Sequence, residues 1–235
     1  MNAFDMIVNF FKQGGPFLYP IAGVFAVGLG FAVERFIYLH RVAKGNRRLW
    51  AELAPLIKTG NFRKAMEIAE KTDSALSTVM RYGMSRIATA HRREDIEKAM
   101  EESLIEVIPH LEKRTHYLAT LANVGMLMGL LGTVIGLINA FAAVAAVNPA
   151  EKAAMLSASI SVAMNNTALG LGLAITLLLA HMYLETKTTE LVDSLEVASI
   201  KFLNSITERR QAVAEPASSA ASARATEKIL GAARA

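Results

Sequence analysis

Cysteine is absent from the 235 residues of this chain, which excludes disulfides and cysteine-ligated metals. The sequence also lacks a GxxxxGK[ST] phosphate loop, an HExxH zinc pattern and any catalytic nucleophile motif. An enzyme, a metal site and a bound cofactor are therefore not expected. Charge of either sign is missing from two long stretches, residues 115–150 and 153–184. Each is longer than the roughly 20 apolar residues that a helix needs to cross a bilayer.

A third apolar stretch covers residues 17–33, near the N-terminus. A signal peptide would carry a positive region before its apolar core, whereas only Lys12 precedes this one, and Pro16 and Pro20 do not suit such a core. We therefore interpret the stretch as a retained transmembrane helix. Before it, an i, i+3, i+4, i+7 pattern of apolar residues over 4–11 predicts an amphipathic helix at the membrane–water boundary, with a frayed terminus as the alternative.

Lysine and arginine are distributed unevenly, and this predicts the topology. Residues 41–114 contain 15 Lys and Arg, whereas Lys12 alone precedes the first span and Lys152 alone lies between the second and third. The chain is therefore expected to cross a membrane three times, with its N-terminus outside and its C-terminus cytoplasmic. Eleven acidic residues are interleaved in the same basic region, which favours solvated helices over nucleic-acid binding.

The predicted fold is an all-α integral membrane protein with three transmembrane helices, two of them with long cytoplasmic helical extensions. Apolar spacings of three and four predict helices over 62–71 and 74–90, a helix from Arg93 with an apolar seam over 96–111, and a packing seam over 191–206. Pro109 is the one residue that could kink or end the helix from Arg93, which runs unbroken to residue 147 if it is continuous. The predicted segments are an interface helix (1–15), TM1 (16–40), a cytoplasmic helical region (41–114), TM2 (115–147), a periplasmic loop (148–155), TM3 (156–184), a cytoplasmic helix (185–210) and a disordered tail (211–235).

Small residues form a stripe on each of the two central spans. Glycine in a helix is less favourable than alanine by roughly 1 kcal/mol, so several on one face need a reason. Close approach of helices in a membrane supplies that reason. The residues predicted to pack in this way are Gly125, Gly129, Gly132 and Gly136 in TM2 with Ala163 and Gly170 in TM3.

Four polar side chains occupy the centre of the same spans: Thr133 in TM2 and Asn165, Asn166 and Thr167 in TM3. Facing lipid, the two amides would be unfavourable, so they are expected to face protein or water. The threonines have two interpretations of equal standing, since they either line a polar lumen or bond the carbonyls four residues before them and serve packing only. Neither span contains a carboxylate, so any titrating acid in the membrane must come from another chain.

These residues resemble a known family. The stretches 118–124 (LATLANV) and 129–137 (GLLGTVIGL) resemble the second-span signature of the ExbB/TolQ/MotA proton-channel family. Residues 148–150 with 160–171 (ISVAMNNTALGL) resemble its third-span signature, and Gly60-Asn61-Phe62 resembles the start of a cytoplasmic helix. Three spans are similar to the ExbB/TolQ branch.

The resemblance implies an oligomeric ring of this chain in the bacterial inner membrane, typically a homopentamer, with a periplasmic N-terminus. The ring surrounds two single-span ExbD/TolR-like helices whose membrane Asp titrates. Thr133 and Thr167 would then line the ion pathway facing that Asp, with Asn165 and Asn166 beside them. The implied function is an ion-motive-force converter that acts through a TonB/TolA-like periplasm-spanning protein. A non-conducting membrane scaffold is the alternative.

Two positions depart from the family pattern. Val162 stands where some members have Glu, and Thr176 where Pro often occurs. A proton relay through a carboxylate of this chain is therefore not expected, and the choice between H⁺ and Na⁺ stays open, as does the process that is energised.

Overall fold

The computed structural model describes residues 15–87, 89–90, 92–145 and 148–232, with side chains described as far as Arg209. Over these residues the regular structure is helical throughout. The helices are α1 (Leu18–Thr59), α2 (Phe62–Lys71), α3 (Ala75–Arg86), α4 (Arg93–Glu112), α5 (Thr115–Ala145) and α6 (Lys152–Ala232).

Three helical runs are long and apolar enough to cross a membrane: Leu18–Thr59, Arg93–Ala145 and Lys152–Arg209. Large apolar side chains on α5 and α6 remain exposed, among them Leu127, Ile138 and Leu179. A lipid environment accounts for such exposure, which would be unusual for a helix in water. The prediction of an all-α chain with three candidate spans is confirmed.

The chain divides into two compact units. The first unit comprises the described part of Met1–Leu39 together with Glu112–Thr188, and it contains the three predicted spans. The second unit comprises the described parts of His40–Leu111 and Thr189–Ala235.

The second unit has a hydrophobic core to which α1, α2, α3, α4 and α6 contribute. Both predicted seams are buried in it, for example through Ile96 and Met100 of α4 and Phe202 of α6. The start of α3 is fixed by a capping box, in which Ser74 and Ser77 bond each other's backbone N–H. On α1, the buried Asn46 Oδ1 accepts a further bond from the backbone N–H of Leu76 at 3.2 Å.

Gly60 ends α1 in a left-handed conformation, with φ of +73°. The guanidinium of Arg209 on α6 occupies the space beside it and donates from Nη1 to the carbonyl of Thr59 at 2.7 Å. The cation therefore satisfies a carbonyl left free at the negative end of the α1 dipole. Gly60 is needed both for its φ and for this contact, since a Cβ there would overlap the Arg209 guanidinium.

Alanine at Gly60 is expected to destabilise the second unit by about 1–2 kcal/mol, because an L-residue at positive φ is unfavourable and the guanidinium must move. Hydrogen exchange of the full-length protein should show faster exchange over the last turn of α1. Gly45→Ala is the matched control, since a Cβ at that helical glycine meets nothing within 4 Å. Equal exchange in the two variants would contradict the role given to Gly60.

The helix from Arg93 does not run unbroken to residue 147. A turn at Lys113–Arg114 separates α4 from α5, and Arg114 has a φ of +69°. Non-glycine residues rarely adopt this conformation, so the sequence carries no sign of the break. Pro109, the residue that looked more disruptive, lies inside α4.

The predictions for the two ends of the chain have different outcomes. The backbone is helical as far as Ala232, over most of the segment predicted as a disordered tail. Large apolar side chains are scarce in this segment, which argues against a packed core but not against a helix. Alanine, which is abundant here, is the strongest helix former. The predicted interface helix over 1–15 lies almost wholly outside the described residues. The membrane, periplasmic and cytoplasmic assignments stay predictions.

Candidate functional site

The backbones of α5 and α6 touch at a glycine pair in the first unit. A Cβ at Gly170 would lie 2.8 Å from the Gly125 carbonyl oxygen and 2.8 Å from Gly129 Cα. A Cβ at Gly129 would lie 3.0 Å from Gly170 Cα and 3.0 Å from the Asn166 carbonyl oxygen. No larger side chain fits between the two helices here, so these glycines determine how closely they approach.

On either side of this pair, the other glycines of α5 also face side chains of α6. Gly132 faces the Asn166 side chain, whose Cβ would lie 3.0 Å from a Cβ placed on the glycine. A Cβ placed on Gly136 would likewise lie 2.8 Å from the Cβ of Ala163. Gly125 faces the branched end of Leu173. The stripe predicted from α5 thus lies against the small-residue stripe of α6.

Thr133 and Thr167 meet at this contact, with their Oγ1 atoms 2.6 Å apart. Thr133 donates within its own helix, to the carbonyl of Leu130 at 2.9 Å or of Gly129 at 3.2 Å. Thr167 instead reaches across to the Gly129 carbonyl of α5 at 3.1 Å. Thr133 thus contacts carbonyls of its own helix, as the packing interpretation predicts, whereas Thr167 contacts a carbonyl of the neighbouring helix.

The threonine pair has more acceptor capacity than it uses. Each hydroxyl has one proton and two lone pairs, so the two protons can form only two of the three bonds, to the carbonyls and between the hydroxyls, at any one time. At most one of the four lone pairs is occupied within the pair, and both side chains are half-buried rather than sealed. Chemically, the pair is suited to receive a hydrogen bond from a protonated acid, or to contact a small cation.

The two asparagines have different surroundings. Asn166 is 3% exposed, and its Oδ1 has no hydrogen-bond partner among the described residues. Asn165 is half-buried. Helical periodicity places adjacent residues about 100° apart, so only one of the two asparagines can face a given neighbouring helix. This is the signal in the sequence that could have separated them.

A charged cluster that sequence reasoning had not assembled lies at the start of α5. Arg35 of α1 is only 3% exposed, donates from Nε to Thr115 Oγ1 at 3.2 Å, and lies over the Tyr38 ring. Glu34 accepts a 2.7 Å bond from Arg114. The partners of Arg35 and Glu34 lie 80 residues away in the chain, so sequence spacing alone does not reveal them.

No group of His, Asp or Glu that would hold a metal ion occurs among the residues described. Val162, where some relatives have Glu, lies half-buried on α6. The polar centre of the first unit consists of hydroxyl and amide groups, and the sequence has no Asp, Glu, Lys or Arg over 115–150 or 153–184.

Comparison with known proteins matches residues 71–197, more than half of the chain, to the model of the MotA/TolQ/ExbB proton channel family. A biopolymer transport protein ExbB homolog of Methanothermobacter thermautotrophicus is 28% identical over 202 residues, which cover 84% of this chain and 69% of that protein. Biopolymer transport protein ExbB of Pseudomonas putida is 28% identical over 163 residues, 63% of this chain and 49% of that protein. The chain thus spans about two thirds and half of the lengths of these two relatives.

The matched region includes α5 and the threonine pair of α5 and α6. Three apolar helices and this match together indicate a multi-pass membrane protein. The chain belongs to the MotA/TolQ/ExbB proton channel family.

Proposed function

We propose that this chain is the proton-channel subunit of an inner-membrane complex of the ExbB–ExbD or TolQ–TolR type. The complex uses the proton gradient to energise transport or envelope work through a TonB/TolA-like periplasm-spanning partner. The observation that carries the proposal is the threonine pair, which offers unused acceptor lone pairs in two spans that have no acid of their own.

The missing acid predicts the partner. A single-span ExbD/TolR-like helix, present as a dimer, supplies an Asp that meets Thr133 and Thr167, and several copies of this chain, typically five, surround it. When protonated, this Asp donates a hydrogen bond to the pair and bears no charge. Because an unpaired carboxylate is strongly unfavourable in the hydrocarbon region, protonation frees the helix to move past the ring. Release of the proton on the other side restores the charge.

Reconstitution into liposomes with a pH-sensitive dye tests this function. We expect the chain together with the ExbD/TolR-like protein of the same genome to dissipate an imposed pH gradient. The chain alone should not, and neither should the pair once the partner's membrane Asp is replaced by Asn. Flux from the chain alone, or undiminished flux with the Asn variant, would contradict the proposal.

The alternative function is a non-conducting scaffold. It is supported by the backbone contact between α5 and α6, which serves helix packing whether or not ions pass. A scaffold predicts no flux in any of these mixtures, and the same assay therefore separates the two functions.

A further inference from the structure

Three exposed basic side chains lie on one side of α1, directly after its apolar stretch, counted here to the predicted end of the first span at residue 40. They are Arg41, Lys44 and Arg48, here called the basic stripe. At about 100° per residue the three fall within an arc of about 60°, and the stripe extends about 10 Å along the helix axis. Arg47, also exposed, lies beside it.

The opposite side of the same helix packs into the second unit. Asn46 and Leu49 are buried there, and Leu53 continues that face one turn further on. The basic stripe therefore belongs to the side of α1 that the described residues leave uncovered.

Little negative charge offsets the stripe. Arg48 lies 3.8 Å from Glu52, an exposed pair one turn apart that contributes little. Among the described residues, no carboxylate lies within ion-pair distance of Arg41 or Lys44. Glu34, the nearest acid before the stripe in the sequence, is engaged by Arg114.

We propose that the basic stripe binds the phosphate groups of anionic phospholipids at the membrane face where the first span ends. A positive-inside bias requires only that basic residues be present, whereas the structure gathers three on one free side within about two turns of the apolar stretch. Anionic headgroups attract such clusters, by about fivefold in affinity for each basic side chain near the surface. The stripe thus selects the lipids around α1, independently of ion conduction.

Spin-labelled phosphatidylglycerol and phosphatidylcholine, each added to vesicles that contain the full-length protein, provide the test. Electron spin resonance measures the association of each lipid with the protein relative to bulk lipid. We expect the protein to favour phosphatidylglycerol at least about threefold at low salt. The preference should fall towards one in the Arg41→Gln/Lys44→Gln/Arg48→Gln variant, and in the unchanged protein as added salt screens the charges.

A matched variant controls for net charge. Arg63→Gln/Lys64→Gln/Lys98→Gln removes the same charge from exposed positions on α2 and α4 and should keep the preference. Trp50, the single tryptophan and half-buried near the stripe, reports folding through its emission wavelength. Arg41→Lys/Arg48→Lys should retain the preference as well. An unchanged preference in the stripe variant, or an equal loss in the control, would overturn the proposal.

Discussion

Valine in place of Thr167 is expected to lower proton flux through the assembled complex by about 10- to 100-fold. Valine keeps the shape of threonine, so the contact between α5 and α6 persists while the hydroxyl that bonds Thr133 and the Gly129 carbonyl is lost. A hydrogen bond to a group that gains or loses charge is worth about 1.5–3 kcal/mol, which corresponds to this range of rates. The liposome assay described above measures it.

Four companion variants make the result specific. Thr176→Val on α6 is the matched control, because that exposed hydroxyl donates only to the Gly172 carbonyl of its own helix. Thr167→Ser should restore most of the flux. Because the two hydroxyls are bonded to each other, the loss of flux in the Thr133→Val/Thr167→Val double variant should differ strongly from the sum of the losses in the Thr133→Val and Thr167→Val single variants. Wild-type flux in both single valine variants would exclude the threonine pair from the pathway.

Valine in place of Gly170 is expected to destabilise the packing of α5 on α6 by about 1–3 kcal/mol or more. Its Cβ would meet the Gly125 carbonyl and Gly129 Cα, both backbone atoms at 2.8 Å, which no side-chain rotation can relieve. Because Thr167 bonds the Gly129 carbonyl, separation of the helices also breaks the polar contact, so flux should fall with stability. Unfolding in mixed detergent, followed by circular dichroism, measures the change.

The same helix offers a close control for this substitution. Gly172 lies two residues further on, and a Cβ there meets nothing within 4 Å. Gly172→Val carries the same β-branched residue at a glycine of the same span, so it separates helix propensity from helix contact. Similar unfolding midpoints for the two variants would contradict the close-contact role of Gly170.

The helices themselves were largely predictable from the sequence, because apolar periodicity and charge-free length each report on burial of a helix face. Phe62–Lys71 follows from its spacing and from Asn61, whose side chain caps it. The turn at Arg114 was not predictable, since its left-handed φ is set by tertiary packing and not by residue type. The helical backbone of 211–232 was missed because low apolar content was taken to indicate disorder.

The candidate site was predictable only in part. Spacing grouped the glycines of α5 onto one face, and polarity singled out Thr133 and Thr167. Spacing within one helix says nothing of which helix lies opposite, so the bond from Thr167 to the Gly129 carbonyl could not be foreseen. Nor could the contact of Arg35 with Thr115, because two residues 80 positions apart are joined only by the fold.

The buried contact of Arg35 with Thr115 also bears on where mechanical displacement can occur. Sliding α1 lengthwise along α5 would strip the guanidinium of its hydroxyl partner in an apolar setting, and would separate Glu34 from Arg114 as well. The backbone contact at Gly129 and Gly170 likewise opposes a piston motion of α5 against α6. The three spans of this chain are therefore expected to move together as one stiff element. Under the proposed function, the stroke that converts an ion gradient into work would then take place between chains.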